Sequence, residues 1–219
     1  MRILITGAFG QLGFALNDVL SDKFDVIRTG RVIPSGLKGI GLNIQDKIYL
    51  NEVIAATSPD LIINLAAMTN VDACEKNPEI AKEVNIAGFQ HICDSFKGKI
   101  IQLSTDYVFD GKNGPYKEDD PVCPISVYGK TKLASEKLIF EHSSDNLVIR
   151  GNVLYDDSSY TKASFLNWVV ESLRNNQNIK VVNDQFNNPT WTRSMADIIE
   201  LCIYKNVNGI IHWGDLDHV

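Results

Sequence analysis

Short apolar runs alternate with longer amphipathic stretches from the first residues of the chain onward. Runs of β-branched and aliphatic residues bounded by Gly, Asn, Asp or Pro predict strands over Arg2–Thr6, Phe24–Arg28, Gly39–Asn43, Asp60–Leu65, Lys99–Ser104, Asn146–Gly151, Ile179–Val182 and Ile210–Trp213. Apolar positions at helical spacing predict helices over Gln11–Ser21, Asp46–Thr57, Pro78–Phe96, Val127–His142, Lys162–Asn175 and Ser194–Tyr204. The runs Leu-Ile-Ile-Asn-Leu and Ile-Ile-Gln-Leu are nearly continuous in apolar character, as suits parallel strands covered on both faces. Strand–helix alternation then predicts an α/β fold, a Rossmann-type doubly wound parallel sheet with right-handed crossovers.

Two polar stretches follow predicted strands, and so belong at the carboxyl edge of the sheet, where open α/β sheets bind ligands. They are Asp110–Ile125, rich in Gly and Pro, and Tyr155–Thr161. The run Thr6-Gly7-Ala8-Phe9-Gly10-Gln11-Leu12-Gly13 links the first strand to the first helix. Glycine there permits a tight turn and close backbone approach to a pyrophosphate, and the helix N-terminus offers unpaired N–H groups. A dinucleotide cofactor is the expectation, over Gly7, Phe9, Gly10, Gln11, Leu12 and Gly13. The second strand ends Val26-Ile-Arg-Thr-Gly-Arg31, with no acid to hold a ribose 2′-hydroxyl. Arg28 and Arg31 instead predict NADP, with NAD possible; Asn43, or Asp46, is the candidate for the adenine amine. Residues 1–150 are thus read as the NAD(P)-binding Rossmann domain, and residues 151–219 as a substrate-side segment interleaved with the last strands.

The strand Lys99–Ser104 runs into Thr105-Asp106-Tyr-Val-Phe109, placing a hydroxyl where the nicotinamide would lie. Tyr128 and Lys132 are four residues apart on one predicted helix face. A cation beside a phenol favours the phenolate, whose free pKa is about 10. Together they make a set for carbonyl reduction. Tyr128 would donate the proton, Lys132 would lower the tyrosine pKa and bind the nicotinamide ribose, and Thr105 would orient the carbonyl.

On these residues the chain resembles an extended short-chain dehydrogenase/reductase, and within it the dTDP-4-dehydrorhamnose reductase family. The resemblance extends over essentially the whole chain. It is carried further by Asn64-Leu-Ala-Ala-Met-Thr-Asn-Val-Asp72, Val84-Asn85, Ser104-Thr-Asp-Tyr-Val-Phe-Asp-Gly111, and Asp184-Gln185 with Pro189-Thr190. It implies a dTDP-bound 4-keto-6-deoxy sugar reduced at C4 with NADPH. It also implies cofactor contacts at Ala66, Ala67 and Thr69, and substrate contacts at Asp106, Arg150 and Gln185. Val153 stands where the family often has tryptophan, and the C-terminal substrate lobe looks shortened. Two alternatives stay open by the same resemblance: an NADP-binding regulatory subunit like the β subunit of methionine adenosyltransferase, and another sugar-nucleotide reductase or epimerase. An acid pair after Thr105, as in dehydratases, is lacking, since Asp106 is followed by Tyr107.

The bulk properties narrow the partners. A net charge of −6 and pI near 5.2 argue against nucleic acid or an anionic membrane surface. The cysteines, Cys74, Cys93, Cys123 and Cys202, are widely spaced, as in a reduced cytoplasmic protein, and no metal site is expected. A homodimer is compatible with the sequence.

Overall fold

In a computed structural model, the chain is described over residues 1–156, 165–181, 183–184 and 187–215. Five parallel strands, β1 (Arg2–Thr6), β2 (Asp25–Gly30), β3 (Ile40–Gly41), β4 (Leu61–Asn64) and β5 (Lys99–Thr105), alternate with helices α1 (Gln11–Leu20), α2 (Lys47–Thr57), α3 (Val71–Lys76), α4 (Pro78–Lys82) and α5 (Gly88–Ser95). After α6 (Val127–His142) come β6 (Leu147–Gly151), β7 (Leu154–Tyr155), α7 (Phe165–Arg174), β8 (Thr190–Trp191), α8 (Thr192–Tyr204) and β9 (Gly209–Trp213). The main sheet has seven parallel strands in the order β3-β2-β1-β4-β5-β6-β9. Strand order reverses between β1 and β4, which opens a crevice at their carboxyl ends.

The apolar runs feed two cores by simple alternation. Ile3, Ile5, Ile63, Ile101 and Ile149 point to the face covered by α1 and α8, through Leu12, Leu16, Val19, Met195 and Ile199. Leu4, Ile62, Ile100 and Val148 point the other way, against Leu50 and Val53 of α2, Phe89 and Ile92 of α5, and Ile139 of α6. At roughly 1.5–3 kcal/mol for each large side chain buried, this double cover dominates the stability of the sheet.

Four sequence expectations are corrected. Residues 179–181 form no strand, and Val182 lies outside the described residues. The place beside β6 is filled by β9, and Val181 stays 54% exposed. The single helix expected over Pro78–Phe96 carries a π-helical turn at Glu83–Ala87 between α4 and α5. Helix α3 was not foreseen; Asn70 caps it, accepting from the Ala73 amide at 2.8 Å. Nor was the small parallel pair β7–β8, held by a bond from the Thr190 amide to the Val153 carbonyl at 2.8 Å. The segment after β6 returns α8 and β9 to the main fold, where α8 packs on α1 and β9 pairs with β6.

Candidate active site

The glycine loop closes the carboxyl end of β1. Gly7 has φ +67°, and a Cβ there would sit 2.8 Å from the Ala66 amide nitrogen and 2.9 Å from the Leu65 carbonyl carbon. Only glycine fits, and the two loops flanking the crevice therefore touch at backbone level. α1 then begins at Gly10 with no side-chain cap and no acid in its first turn. The first N–H groups of a helix have no partner within it, and a start without a side-chain cap leaves them open to an anion. Leu12 itself is buried in the core, so only its backbone can face a ligand.

Beside this loop stands Arg28, on β2. Its guanidinium lies 4.6 Å from the Phe9 ring and 5.7 Å from the Phe14 ring. Nε and Nη2 of Arg28, and Nε2 of Gln11, are buried and have no hydrogen-bond partner among the described residues. Orphaned donors of this kind cost free energy unless something accepts from them. Arg31 is exposed on the following loop. A cleft of about 710 Å³ runs from Phe14 and Arg28 to Trp191 and Arg193. Unsatisfied donors beside a capless helix start and a glycine turn fit a phosphorylated dinucleotide. Asn43 is exposed and accepts from the Gln45 amide at 3.2 Å, while Asp46 is occupied as the cap of α2, accepting from the Tyr49 amide at 3.0 Å.

A buried polar line underlies the crevice. The Thr6 hydroxyl donates to Asn64 Oδ1 at 2.5 Å, and Asn64 Nδ2 donates to Gln102 Oε1 at 2.7 Å, joining β1, β4 and β5. After β4 the chain runs through half-buried Ala66 and Ala67 to exposed Thr69. Asn85, on the π-helical turn, holds this loop by accepting from the Met68 amide at 2.7 Å and donating to the Met68 carbonyl at 3.1 Å. The same side chain donates to Thr131 of α6 at 2.9 Å, so the loop and α6 share one anchor. π-helical turns recur at functional sites because they redirect one side chain out of register.

α6 carries the reactive pair. Ser126 caps it, accepting from the Gly129 amide at 3.0 Å, and Glu75 of α3 accepts from the Val127 amide at 2.6 Å. Gly129 lets the helix press on the 3₁₀ turn Asp106–Val108, where a Cβ would lie 2.2 Å from the Tyr107 carbonyl oxygen. Tyr107 and Tyr128 meet edge to face at 5.8 Å. Thr105 is buried at the end of β5, donates to Asp106 Oδ1 at 2.9 Å, and lies beside the Tyr128 phenol. Thr105, Asp106, Tyr128 and Lys132 are therefore gathered by β5, its 3₁₀ turn and α6.

Their protonation differs from what the pairing alone predicts. Burial, and then the Asp106 carboxylate, push the Tyr128 phenol well above its ordinary range, and the Thr105 hydrogen bond pulls it only partly back. Lys132 is 4% exposed, and burial lowers its ammonium to about 8, against the pull of Glu136. Burial likewise raises the Asp106 carboxyl. In the ligand-free protein desolvation thus outweighs the cation effect expected from Tyr128–Lys132 spacing.

Arg150 is placed otherwise than a free substrate contact. It is buried on β6 and grips Glu136 twice, Nη2 to Oε2 at 2.8 Å and Nε to Oε1 at 3.0 Å. Its Nη1 donates to the Glu118 carbonyl at 3.2 Å, and His212 Nε2 is also 3.2 Å away. Glu136, Gly129, Tyr107 and Phe14 escaped the sequence reading; the spacing of Glu136 four residues past Lys132 was the available signal. Gln185 lies outside the described residues. Among the described residues no cluster of potential metal ligands occurs and no helix is long and apolar enough to cross a membrane.

The profile of the RmlD substrate binding domain matches residues 1–218. The spore coat polysaccharide biosynthesis protein SpsK of Bacillus subtilis is 32% identical over 96% of this chain and 72% of its own length. The dTDP-4-dehydrorhamnose reductase of Burkholderia thailandensis is 35% identical over 90% of this chain and 64% of its own. A crystal structure of dTDP-4-dehydrorhamnose reductase from Bacillus anthracis in complex with NADP superposes with a TM-score of 0.89 at 27% identity, over 99% of this chain and 75% of that one. The chain spans 63–72% of the length of the first curated relatives.

Proposed function

The chain belongs to the RmlD substrate binding domain family, and on that premise we propose that it reduces the C4 keto group of a dTDP-4-keto-6-deoxy sugar with NADPH. The observation that carries this reading is the gathering of Thr105, Tyr128 and Lys132 at the carboxyl edge, beside a glycine turn and the orphaned donors of Arg28. When bound, the reduced dinucleotide supplies a hydride to the keto carbon. Backbone amides at the start of α1 would hold the pyrophosphate, and the Arg28 guanidinium would hold the 2′-phosphate. The loop at Ala66, Ala67 and Thr69 borders the middle of the cofactor. Thr105 turns its one hydroxyl proton from Asp106 Oδ1 to the keto oxygen. Tyr128 delivers its proton to that oxygen as negative charge grows there, and its high proton affinity keeps it protonated until then. Lys132, cationic below about pH 8, donates to ribose hydroxyls and steadies the charge left on Tyr128. Asp106 and Gln185 are assigned to the sugar side, whereas Arg150 supports the site through Glu136. The reading carries a cytoplasmic location.

The test is direct. Mixing the protein with NADPH and dTDP-4-keto-6-deoxy sugar should consume NADPH at 340 nm, and Tyr128→Phe should lower kcat by about a hundredfold or more with NADPH affinity retained. Tight NADPH binding without turnover would support a non-catalytic regulatory role instead.

A further inference from the structure

One buried charge beneath the reactive pair has no part in the chemistry above. Glu136 is 3% exposed, sits one helical turn beyond Lys132, and is fixed by Arg150 at 2.8 and 3.0 Å and by the Ser104 hydroxyl at 2.5 Å. A full ionic side chain this deep is expensive and is held only by matched partners. Its neighbours come from four elements and a loop: Lys132 on α6, Ser104 on β5, Arg150 on β6, His212 on β9 through Arg150, and the Glu118 carbonyl from the loop. Around Tyr128, one turn before Lys132 on α6, stand Asp106, Thr105, Tyr107 and Cys74.

We propose that Glu136 is a positioning residue for the reduction, a locked buried carboxylate whose charge keeps Lys132 cationic. The inference rests on the reductase reading for its consequence, though its electrostatics stand alone. Arg150 stays charged in any environment, because the guanidinium does not give up its proton in proteins. Without Glu136, Arg150 and Lys132 would face each other as buried cations with no shared counter-charge, and Lys132 is the member able to discharge. Without Arg150, Glu136 would have Lys132 as its remaining close cation, and Lys132 would hold its proton harder. The two halves of one ion pair therefore act on Lys132 with opposite sign, whereas a scaffold role predicts the same loss from either side.

The experiment is an NMR titration of protein labelled with ε-¹³C lysine, the Lys132 signal being assigned by its loss in Lys132→Met. In Glu136→Gln the Lys132 midpoint should fall by about one pH unit or more, and in Arg150→Met it should rise by a comparable amount. The alkaline limb of the kcat/KM profile should follow in each variant, and Glu136→Asp should restore the wild-type midpoint. Midpoints that stay in place, or that move together, overturn the proposal, as does a limb that ignores a shifted midpoint. If Glu136→Gln does not fold, Arg150→Met decides alone, and an upward shift is required. Failure of the wild-type protein to turn over would sink the reductase reading instead, and is distinguished because the titration needs no substrate.

Discussion

Arg28, within β2, has two guanidinium nitrogens buried and without a partner among the described residues, which favours an incoming anion. The Phe9 ring, 4.6 Å from the guanidinium, supports it by a cation–π contact. Arg31 is exposed and lacks such a support. Arg28→Ala should therefore raise KM for NADPH by about ten- to a hundredfold, while KM for NADH and kcat change little. Arg31→Ala should have the smaller effect, and steady-state kinetics with both cofactors separates the two. At the same scale, protonation was the least legible property of the sequence. The four-residue spacing of Tyr128 and Lys132 was visible, but the depth at which they lie was not. Burial decides the sign, raising the phenol and lowering the ammonium.

At the scale of elements, α6 is held in place by contacts that its own hydrophobic pattern does not contain. Glu75 and Ser126 fix its start, Gly129 sets its distance from the 3₁₀ turn, and Asn85 ties Thr131 to the cofactor loop. Removing Asn85 strips the Met68 amide of its partner and leaves the Met68 carbonyl with the Cys74 thiol at 3.5 Å. Asn85→Ala should cost about 1–3 kcal/mol in denaturant unfolding and weaken NADPH binding more than it lowers kcat. Gly129→Ala should be worse for turnover, because the added methyl would strike the Tyr107 backbone and push Tyr128 away from Thr105. A loss of at least about tenfold in kcat, with the helix content by circular dichroism unchanged, is the expected outcome.

For the whole molecule, α8 and β9 join the core and the sheet that the elements before β6 begin. Met195, Ala196 and Ile199 of α8 complete the core built by α1, and β9 extends the sheet beside β6. All three tryptophans, Trp168, Trp191 and Trp213, lie beyond residue 151, while most of the strand and helix content lies before it. Tryptophan fluorescence and far-ultraviolet circular dichroism should therefore report coincident urea transitions. Met195→Ala should lower the stability seen by both probes by about 2–5 kcal/mol. Separate transitions would mean that 151–219 unfolds as a unit of its own.

The strand and helix series, the glycine turn, Arg28 with Arg31 after it, and the spacing of Thr105, Tyr128 and Lys132 are all properties of local pattern, so the sequence by itself determined them. Apolar periodicity encodes which face is buried, and turn chemistry encodes where the chain must bend. Tertiary structure alone decided that 179–181 stays out of the sheet, that Asn64, Asn85 and Gln102 knit the crevice floor, and that Arg150 faces Glu136. Each of these depends on side chains far apart in the chain arriving at one place, and on how little water follows them there. Desolvation is a property of the assembled fold, and it sets the charge of the groups expected to do the chemistry.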